Sequence, residues 1–376
     1  MAHLGYCAVC HSAPGGAPYA GGLKLKTPFG AVYSTNISPD AEMGIGRWSL
    51  PAFKRAMRQG VSRGGAHLYP AFPYDHFTHA SDSDLGALYA FMMTRAPVRS
   101  TAPANRLIPP LGLRPLLAGW KLLFLHTGAV AAEPARSAEW NRGHYLVESF
   151  AHCGGCHSPR NPLGAEESGH AFEGGWAEGW YAPPLNASSP AARAWTVERM
   201  NHYLRTGLSL SHAAAAGPMG PVTDQLSAAS PADVHAISVY ISSLMSGAGA
   251  SHVEAPTLDR AALAARAYPQ GAALFAGACA GCQGSGVPMM LEGRPILSLG
   301  TPLYEPTPRD TIQIMLWGLK PPVGRSGPYM PAFGHSFTNA QAAEIVAYLR
   351  ARYSDSPPWP VELTREVAKA RKEGAS

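Results

Sequence analysis

Three cysteine pairs of identical spacing constrain this chain more than any other feature of its sequence. All six cysteines of the 376 residues fall into C-x-x-C pairs, and none is left over. Thiols used so sparingly are typical of ligands or attachment points and not of core packing. The pairs are Cys7 with Cys10, Cys153 with Cys156, and Cys279 with Cys282.

The residue after each pair separates three interpretations. His11 and His157 follow the first two pairs. C-x-x-C-H is typical of c-type haem attachment, in which the thiols form thioethers and the histidine becomes the proximal iron ligand. A zinc site would need four ligands, and a thioredoxin-like dithiol would need a strand-to-helix junction. Haem is favoured, and the zinc and dithiol interpretations stay open.

The third pair departs from this pattern, because Gln283 stands where the other two pairs have histidine. The thiols can still attach a porphyrin, but glutamine is a poor iron ligand. The sequence therefore predicts haem c at the two pairs that histidine follows and leaves a third haem, at Cys279 and Cys282, open. We favour a third haem with weak or replaced proximal ligation. An empty site with a dithiol or disulfide, or a change introduced into the sequence, are the alternatives.

Each pair begins a repeat of similar plan. A middle helix in each repeat is predicted to end at a glycine, namely Gly60, Gly207 and Gly318. Twelve residues after the second and third glycines stand Met219 and Met330. A thioether suits a soft iron site and raises its potential. We therefore predict that these two methionines are distal iron ligands, although packing in an apolar loop is the alternative.

Phe72 occupies the same position in the first repeat and cannot bind iron. His76, four residues further on, is the nearest substitute, and His67 and His79 flank the same loop. We predict His76 as the distal ligand of a bis-His haem of lower potential. A five-coordinate haem with His76 at the surface is the alternative.

A closing helix is predicted at the end of each repeat. Ser81, Ser230 and Thr338 are the expected N-caps, each followed three residues later by a residue that suits a capping box or an acidic form of it. Apolar residues then recur at helical spacing. We expect the leading and closing helices of a repeat to pack together.

The repeats predict an all-α fold of three tandem domains with long loops. The length suits two or three domains, and 40 Gly with 35 Pro suit the loops. Because Cys7 lies so near residue 1, we expect the first domain to be clipped at its N-terminus. The predicted divisions are 1–110 for the first domain, 111–136 for a linker, 137–250 for the second domain, and 251–376 for the third domain with a C-terminal tail expected to be solvated or partner-bound.

The linker carries the most apolar stretch, LGLRPLLAGWKLLFL at 111–125, interrupted by Arg114 and Lys121. It falls short of the roughly 18–20 uninterrupted apolar residues of a spanning helix. A helix lying in a membrane interface or against a partner and a buried linker helix both remain open. The formal charge of +5 comes without a basic run, so we expect no nucleic-acid partner.

These features resemble tandem class I cytochrome c domains, and more closely the three-haem cytochrome c subunit of bacterial membrane-bound dehydrogenases of the alcohol, gluconate, aldehyde or molybdenum-hydroxylase type. The resemblance implies an electron-transfer subunit with no catalytic residues of its own. In that family the third pair is also followed by histidine. The stretches that carry the resemblance include LYPAFPYDHFT (68–78), SAEWNRGHYLVE (137–148), CGGCHSPRN (153–161) and YMPAFG (329–334).

The resemblance also implies partners and a location. A catalytic dehydrogenase subunit would supply electrons, and ubiquinone or a downstream cytochrome would accept them, at the membrane surface on the periplasmic side of the bacterial inner membrane. PAFPYDHF (70–77) and SDSPPWPVE (354–362) most resemble subunits paired with molybdenum and iron–sulfur dehydrogenases of aldehydes or N-heterocycles. The alternative function is a multihaem peroxidase with an open haem in the first domain.

Overall fold

The structure is a computed structural model that describes residues 1–246, 258–284, 294–321 and 329–374. Backbone contacts divide the chain into two compact units, and the predicted three-domain division stays a prediction. The first unit comprises Met1–Gly155, Asn161–Ala165 and Ala228–Ile237, and the second comprises Cys156–Arg160, Glu166–Ser227 and Ser238–Ser376.

Helices predominate in the first unit, which also contains one small antiparallel sheet with strand order β1–β2–β3. The helices are α1 (Cys7–Cys10), α2 (Leu50–Gln59), α3 (Tyr74–Phe77), α4 (Asp82–Met93), α5 (Leu116–Phe124) and α6 (Ala138–Glu148). The strands are β1 (Lys24–Thr27), β2 (Gly30–Tyr33) and β3 (Arg106–Leu107).

The second unit is also mainly helical and contains two short hairpins, β4–β5 and β6–β7. Two helices, α7 (Gly154–His157) and α10 (Pro231–Met245), include residues of both units. The described helices of the second unit are α8 (Val197–Thr206), α9 (Met219–Ser227), α11 (Ala261–Ala267), α12 (Pro269–Ala278), α13 (Ala280–Gln283), α14 (Arg309–Trp317), α15 (Asn339–Tyr353) and α16 (Leu363–Gly374), with 3-10 turns at Leu297–Leu299 and Thr301–Leu303. Its strands are β4 (Gly175–Ala177), β5 (Trp180–Ala182), β6 (Leu208–Ser209) and β7 (Ala213–Ala214).

The three predicted middle helices are confirmed as α2, α8 and α14. They end at Gly60, Gly207 and Gly318, each of which has positive φ. Such a glycine stops a helix because a left-handed backbone costs it no steric penalty. An antiparallel backbone pairing follows each glycine. It joins Val61 to His67, β6 to β7, and Leu319 to Met330.

The closing helices α4, α10 and α15 are confirmed as well. Ser81 accepts a hydrogen bond from the amide of Asp84, and Thr338 forms a full capping box with Gln341. Both contacts satisfy amides that the first helical turn leaves without intrahelical partners. α10 begins at Pro231, directly after the predicted cap Ser230.

In the second unit the leading helix α12 crosses the closing helix α15, as predicted. Gly271 makes the crossing close: a Cβ at this position would lie 2.3 Å from Glu344 O and 2.8 Å from Tyr348 Cβ. Phe275, one turn further on, packs its ring 5.5 Å from that of Tyr348. A larger residue at 271 would therefore separate the two helices that hold the core of this part of the unit.

The C-terminal tail differs from the expectation of a solvated or partner-bound segment, since α16 packs against the core. Val367 and Ala370 are fully buried within the same apolar cluster as α12, α14 and α15. Arg371 donates to the carbonyls of Gly334 and Phe337. The tail is an amphipathic helix whose few apolar residues share one face. Its many charges led to the expectation of a solvated or partner-bound segment.

Candidate functional site

Each haem-type motif is built on a single helical turn. The first pair spans α1, and the amide of His11 donates to Cys7 O at 2.9 Å. The amide of Gln283 donates to Cys279 O at the same distance. Residues at positions i, i+3 and i+4 lie on one helix face. The turn therefore directs both thiols and the following side chain to the same side.

Both histidines of the C-x-x-C-H motifs are oriented by backbone carbonyls. His11 Nδ1 lies 2.7 Å from Thr35 O, and His157 Nδ1 lies 2.6 Å from Pro183 O. A carbonyl can only accept, so Nδ1 donates and Nε2 is the unprotonated nitrogen. Burial lowers the pKa of both histidines and keeps the rings neutral. A neutral imidazole fixed through Nδ1 is the form that ligates a metal.

The loop that follows each histidine repeats between the two motifs. Ser12 Oγ accepts from the amide of Tyr19, and Ser158 Oγ accepts from the amide of Phe172, both at 3.1 Å. Tyr19 and Phe172 also share a left-handed backbone, with φ of 63° and 61°. This conformation is uncommon for aromatic residues and persists only where the surroundings enforce it. The two motifs are thus copies of one local structure, including its strained position.

The first motif borders a cavity of about 530 Å³. Ligand pockets typically fall between about 300 and 1,000 Å³. Cys7, Cys10 and His11 are among the residues that line it, so thiols and imidazole face the same space. Most of the other lining residues are apolar, among them Leu25, Val32, Ile45, Phe53, Leu88 and Met92. An apolar cavity with two thiols and an imidazole at its wall fits a covalently attached haem.

The thiols themselves do not fit a reactive dithiol. Burial raises the pKa of Cys7 to about 12 and the pKa of Cys279 to about 11, and the second thiol of each pair adds to the increase. Redox-active pairs depend on a cysteine pKa lowered to roughly 3.5–7.5. Among the described residues of either unit, no cluster of three metal-ligating side chains includes a cysteine. Haem attachment is therefore favoured over both alternatives.

The structure separates Phe72, which occupies the position of the methionines in the first repeat, from His76, the predicted distal ligand. Phe72 lines the cavity, whereas His76 lies outside the set of lining residues. His76 is buried in α3 with Nδ1 3.1 Å from Glu148 O, and its ring lies 6.1 Å from that of His152. His152 does line the cavity. The role of His76 as a distal ligand stays a prediction, and the surface position considered for it does not match its burial.

The two predicted methionine ligands are held by backbone contacts after their middle helices. Met219 is the first residue of α9, and its amide donates to Ala216 O at 3.1 Å. Met330 exchanges two backbone hydrogen bonds with Leu319, at 2.9 and 3.0 Å. Both methionines are half-buried. Their ligation of iron stays a prediction.

At the third motif Cys279, Cys282 and Gln283 are all half-buried. Residues 285–293, which follow this motif, fall outside the described ranges. The occupancy and ligation of this third position therefore stay predictions.

Comparison of the sequence with those of characterised proteins shows to which family the chain belongs. No family model matches the chain. It is 34% identical over 398 residues to the gluconate 2-dehydrogenase cytochrome c subunit of Pantoea cypripedii, covering 99% of the chain and 88% of that protein. The chain belongs to the family of dehydrogenase cytochrome c subunits. The cytochrome subunit is also 33% identical to the fructose dehydrogenase cytochrome subunit of Gluconobacter japonicus, over 93% of the chain and 77% of that protein.

A third relative is a much longer protein. The cytochrome subunit is 45% identical over 371 residues to a nicotinate dehydrogenase subunit of Pseudomonas putida. The alignment covers 96% of the chain but only 30% of the length of that relative.

Family membership settles the cofactor class and the kind of activity. The cofactor of the cytochrome subunit is haem c, and the cysteine pairs fit C-x-x-C-H-like attachment motifs. The number of haems stays a prediction. The subunit transfers electrons and is not the catalytic part of a dehydrogenase. The relatives reported above bear cytochrome-subunit or dehydrogenase names, so they lend the peroxidase alternative no support.

Sequence reasoning missed several residues around the first haem position. Met43, Met57 and Met92 line the cavity together with His152. Met57 and Met92 lie on the buried faces of α2 and α4, so their helical spacing indicated core packing and nothing more. His152 directly precedes Cys153, and its φ of 36° places it in the left-handed region. Its position beside the second pair was the only signal that could have drawn attention to it.

A buried pair of carboxyl groups in the second unit gives the cytochrome subunit a pH-dependent stability. Glu305 and Asp310 are both buried, and Asp310 accepts from the amide of Tyr181 on β5. Burial raises the pKa of Asp310 to about 7, opposed by that amide and by the charge of Arg309. Burial and the neighbouring Asp310 also raise the pKa of Glu305, opposed by Arg350. The folded state therefore binds protons that the unfolded chain would release.

Asp310→Asn should make the stability of the cytochrome subunit less dependent on pH. A folded-state pKa above the unfolded value stabilises the native state at low pH, and this contribution disappears as the pH rises from about 4 to about 7. The free energy of unfolding of the variant relative to the parent should therefore increase by on the order of 3 kcal/mol over that range. Denaturant unfolding at a series of pH values measures it. The exposed Asp355→Asn is the matched control, and parallel pH profiles for all three proteins would contradict the expectation.

Proposed function

We propose that the cytochrome subunit works on the periplasmic side of the bacterial inner membrane. It accepts electrons from a dehydrogenase that contains molybdenum and iron–sulfur clusters and oxidises an aldehyde or an N-heterocycle. It passes them to ubiquinone or another respiratory carrier. The proposal includes a haem at each of the three cysteine pairs, with His11 and His157 as proximal ligands and Met219 and Met330 as distal ligands.

The observation that carries this proposal is the pair of histidines, His11 half-buried and His157 buried, whose Nδ1 atoms are fixed by Thr35 O and Pro183 O. Bound haem supplies one-electron exchange between ferric and ferrous iron. The protein holds each imidazole in one tautomer and orientation, and burial lowers the pKa of the ring, which keeps it neutral. Ligands that stay fixed in both oxidation states suit rapid electron transfer and leave no position for substrate chemistry.

Two features support the choice of dehydrogenase. Identity to the nicotinate dehydrogenase subunit is 45%, against 34% and 33% for the subunits named for gluconate and fructose. The SDSPPWPVE segment, which carries the resemblance to molybdenum-dehydrogenase subunits, is also an ordered part of the second unit. Trp359 within it is buried, donates to Glu305 O at 2.8 Å and lies under the guanidinium of Arg350.

Purification of the intact complex through a tag on the cytochrome subunit tests the proposal. Anaerobic addition of a heteroaromatic acid or an aldehyde should convert the haems to their ferrous form, as seen in their absorption spectrum. Gluconate, fructose and ethanol should not. Mass spectrometry of the cytochrome subunit should show three attached haems. Reduction by a sugar or alcohol alone would overturn the proposed partner. Detection of only two haems would overturn the proposed haem at the third cysteine pair. Turnover of hydrogen peroxide would favour the peroxidase alternative.

A further inference from the structure

One helix of the first unit presents its apolar side to solvent and its polar side to the protein. In α5 the exposed residues are Leu116, Ala118, Gly119, Leu122 and Leu123, and none of them is polar. Leu122 is 88% exposed and Leu123 is 62% exposed. A helix in water normally has the opposite arrangement. Exposed leucines of this density therefore call for a surface that covers them.

The inward side of α5 is fixed by polar contacts. Lys121 Nζ donates to Gln59 O at 2.6 Å and to Gly60 O at 2.5 Å, and lies 3.0 Å from His67 Nδ1. Burial lowers the pKa of Lys121 to about 8, as expected for an ammonium group turned away from water. Trp120 Nε1 donates to Leu163 O at 3.0 Å. These contacts prevent the helix from rotating to bury its leucines.

The exposed apolar surface continues into the turn before the helix. We call this surface the linker patch, and it consists of Ile108, Leu111, Leu113, Leu116, Leu122 and Leu123, each at least 40% exposed. All six residues fall within one 16-residue stretch of chain. Protein–protein contacts and membrane surfaces are the usual causes of such a patch.

The charges near the linker patch distinguish between a protein partner and a membrane surface. Residues 85–132 contain five Lys or Arg and no Asp or Glu. Arg106 and Arg114 are exposed next to the patch, while Arg99 pairs with Glu42. Leucines flanked by cations and without acidic residues match the interface of a bilayer that contains anionic phospholipids. In the ranges that the structure covers, no helix combines the length and apolar character needed to cross a membrane. The patch would therefore lie in the interface.

We propose that the linker patch binds the surface of an anionic phospholipid bilayer and inserts Leu122 and Leu123 among the acyl chains. The proposal rests on the proposed location at a membrane, and it assigns that contact to one helix of the first unit. The leucines supply the apolar contribution to binding, and the flanking arginines select the lipid charge.

Vesicle co-sedimentation of the haem-loaded full chain, without its partner subunits, tests the proposal. The protein should bind vesicles of phosphatidylcholine with phosphatidylglycerol and should bind pure phosphatidylcholine vesicles much more weakly. Leu122→Ser with Leu123→Ser should lower the partition coefficient at least about tenfold. Raising NaCl to about 0.5 M should weaken binding severalfold. Leu263→Ser replaces a comparably exposed leucine of the second unit and should change neither value.

Three results would overturn the proposal. They are equal binding to neutral and anionic vesicles, unchanged binding of the double variant, and absence of vesicle binding together with dimer formation that the double variant abolishes. The last result would assign the patch to a second copy of the chain. Visible spectra of the variants verify that they remain folded and loaded. Substrate-driven haem reduction is measured in detergent without vesicles, so failure of the membrane proposal leaves the test of the proposed function intact.

Discussion

His157→Gln should abolish the low-spin spectrum of the second haem and leave the absorption of the others in place. The substitution converts CGGCH into CGGCQ, the arrangement that the third pair has naturally. It removes the imidazole that Pro183 O fixes at 2.6 Å. An uncharged amide is a poor ligand for iron, and His157 is buried, so bulk water has little access to this position. The reduced-minus-oxidised spectrum should therefore lose the contribution of about one haem.

The reciprocal substitution Gln283→His should have the opposite effect at the third pair. It restores C-x-x-C-H on a helical turn that already has the backbone geometry of the first motif, with the amide of residue 283 bonded to Cys279 O. The third haem should gain low-spin absorption and resist displacement of its proximal ligand. Mass spectrometry of both variants separates a change in attachment from a change in ligation.

His202→Gln is the matched control for these two variants, because His202 is exposed on α8. It should leave both haem content and spectrum unchanged. If His157→Gln retained the parent spectrum and potential, another residue would have to be the proximal ligand and the assignment of His157 would fail.

Local signals explain what the sequence predicted well. The cysteine pairs, the glycine stops at Gly60 and Gly207, and the cap at Thr338 each depend on residues a few positions apart. Helix propagation and capping are decided over that distance, so a pattern in the sequence is sufficient. The class of cofactor could be predicted from equally few neighbouring residues, because attachment and proximal ligation need only five consecutive residues.

The partners of the histidines could not be predicted in the same way. Thr35 and Pro183 contribute main-chain carbonyls, which every residue has, from positions 24 and 26 residues beyond their histidines. The small hairpins β1–β2 and β4–β5 bring these carbonyls back, and the expectation of an all-α fold did not include them. Their contribution appears only when backbone pairing is known.

Long-range packing also determined what the sequence left open about the distal side and the linker. A constant spacing after the middle helix drew attention to Phe72, yet the cavity beside it is lined by His152 and by methionines from α2 and α4. The linker stretch was compatible with either a buried or an interfacial helix. Only the contacts of Trp120 and Lys121 show which side faces the protein.

Met219→Ala should lower the midpoint potential of the second haem and allow small ligands to bind its iron. A thioether favours the ferrous state, and axial ligands span about 0.8 V of haem potential in proteins, so we expect a decrease on the order of 0.1 V. The backbone before Met219 is built for a fixed position. Gly217 has φ of 50°, and a Cβ there would lie 2.4 Å from the ring of Trp180. The turn that precedes Met219 is therefore packed closely against Trp180.

Redox titration followed in the visible range, with and without cyanide, measures both effects. Met93→Ala is a suitable control, because Met93 is half-buried at the end of α4 and does not line the first cavity. It should change neither the potentials nor the response to cyanide. An unchanged potential of the second haem in Met219→Ala, combined with no binding of cyanide, would show that the methionine packs in its loop without touching iron. The spacing argument would then fail for Met330 as well, because both assignments depend on the same position after the glycine.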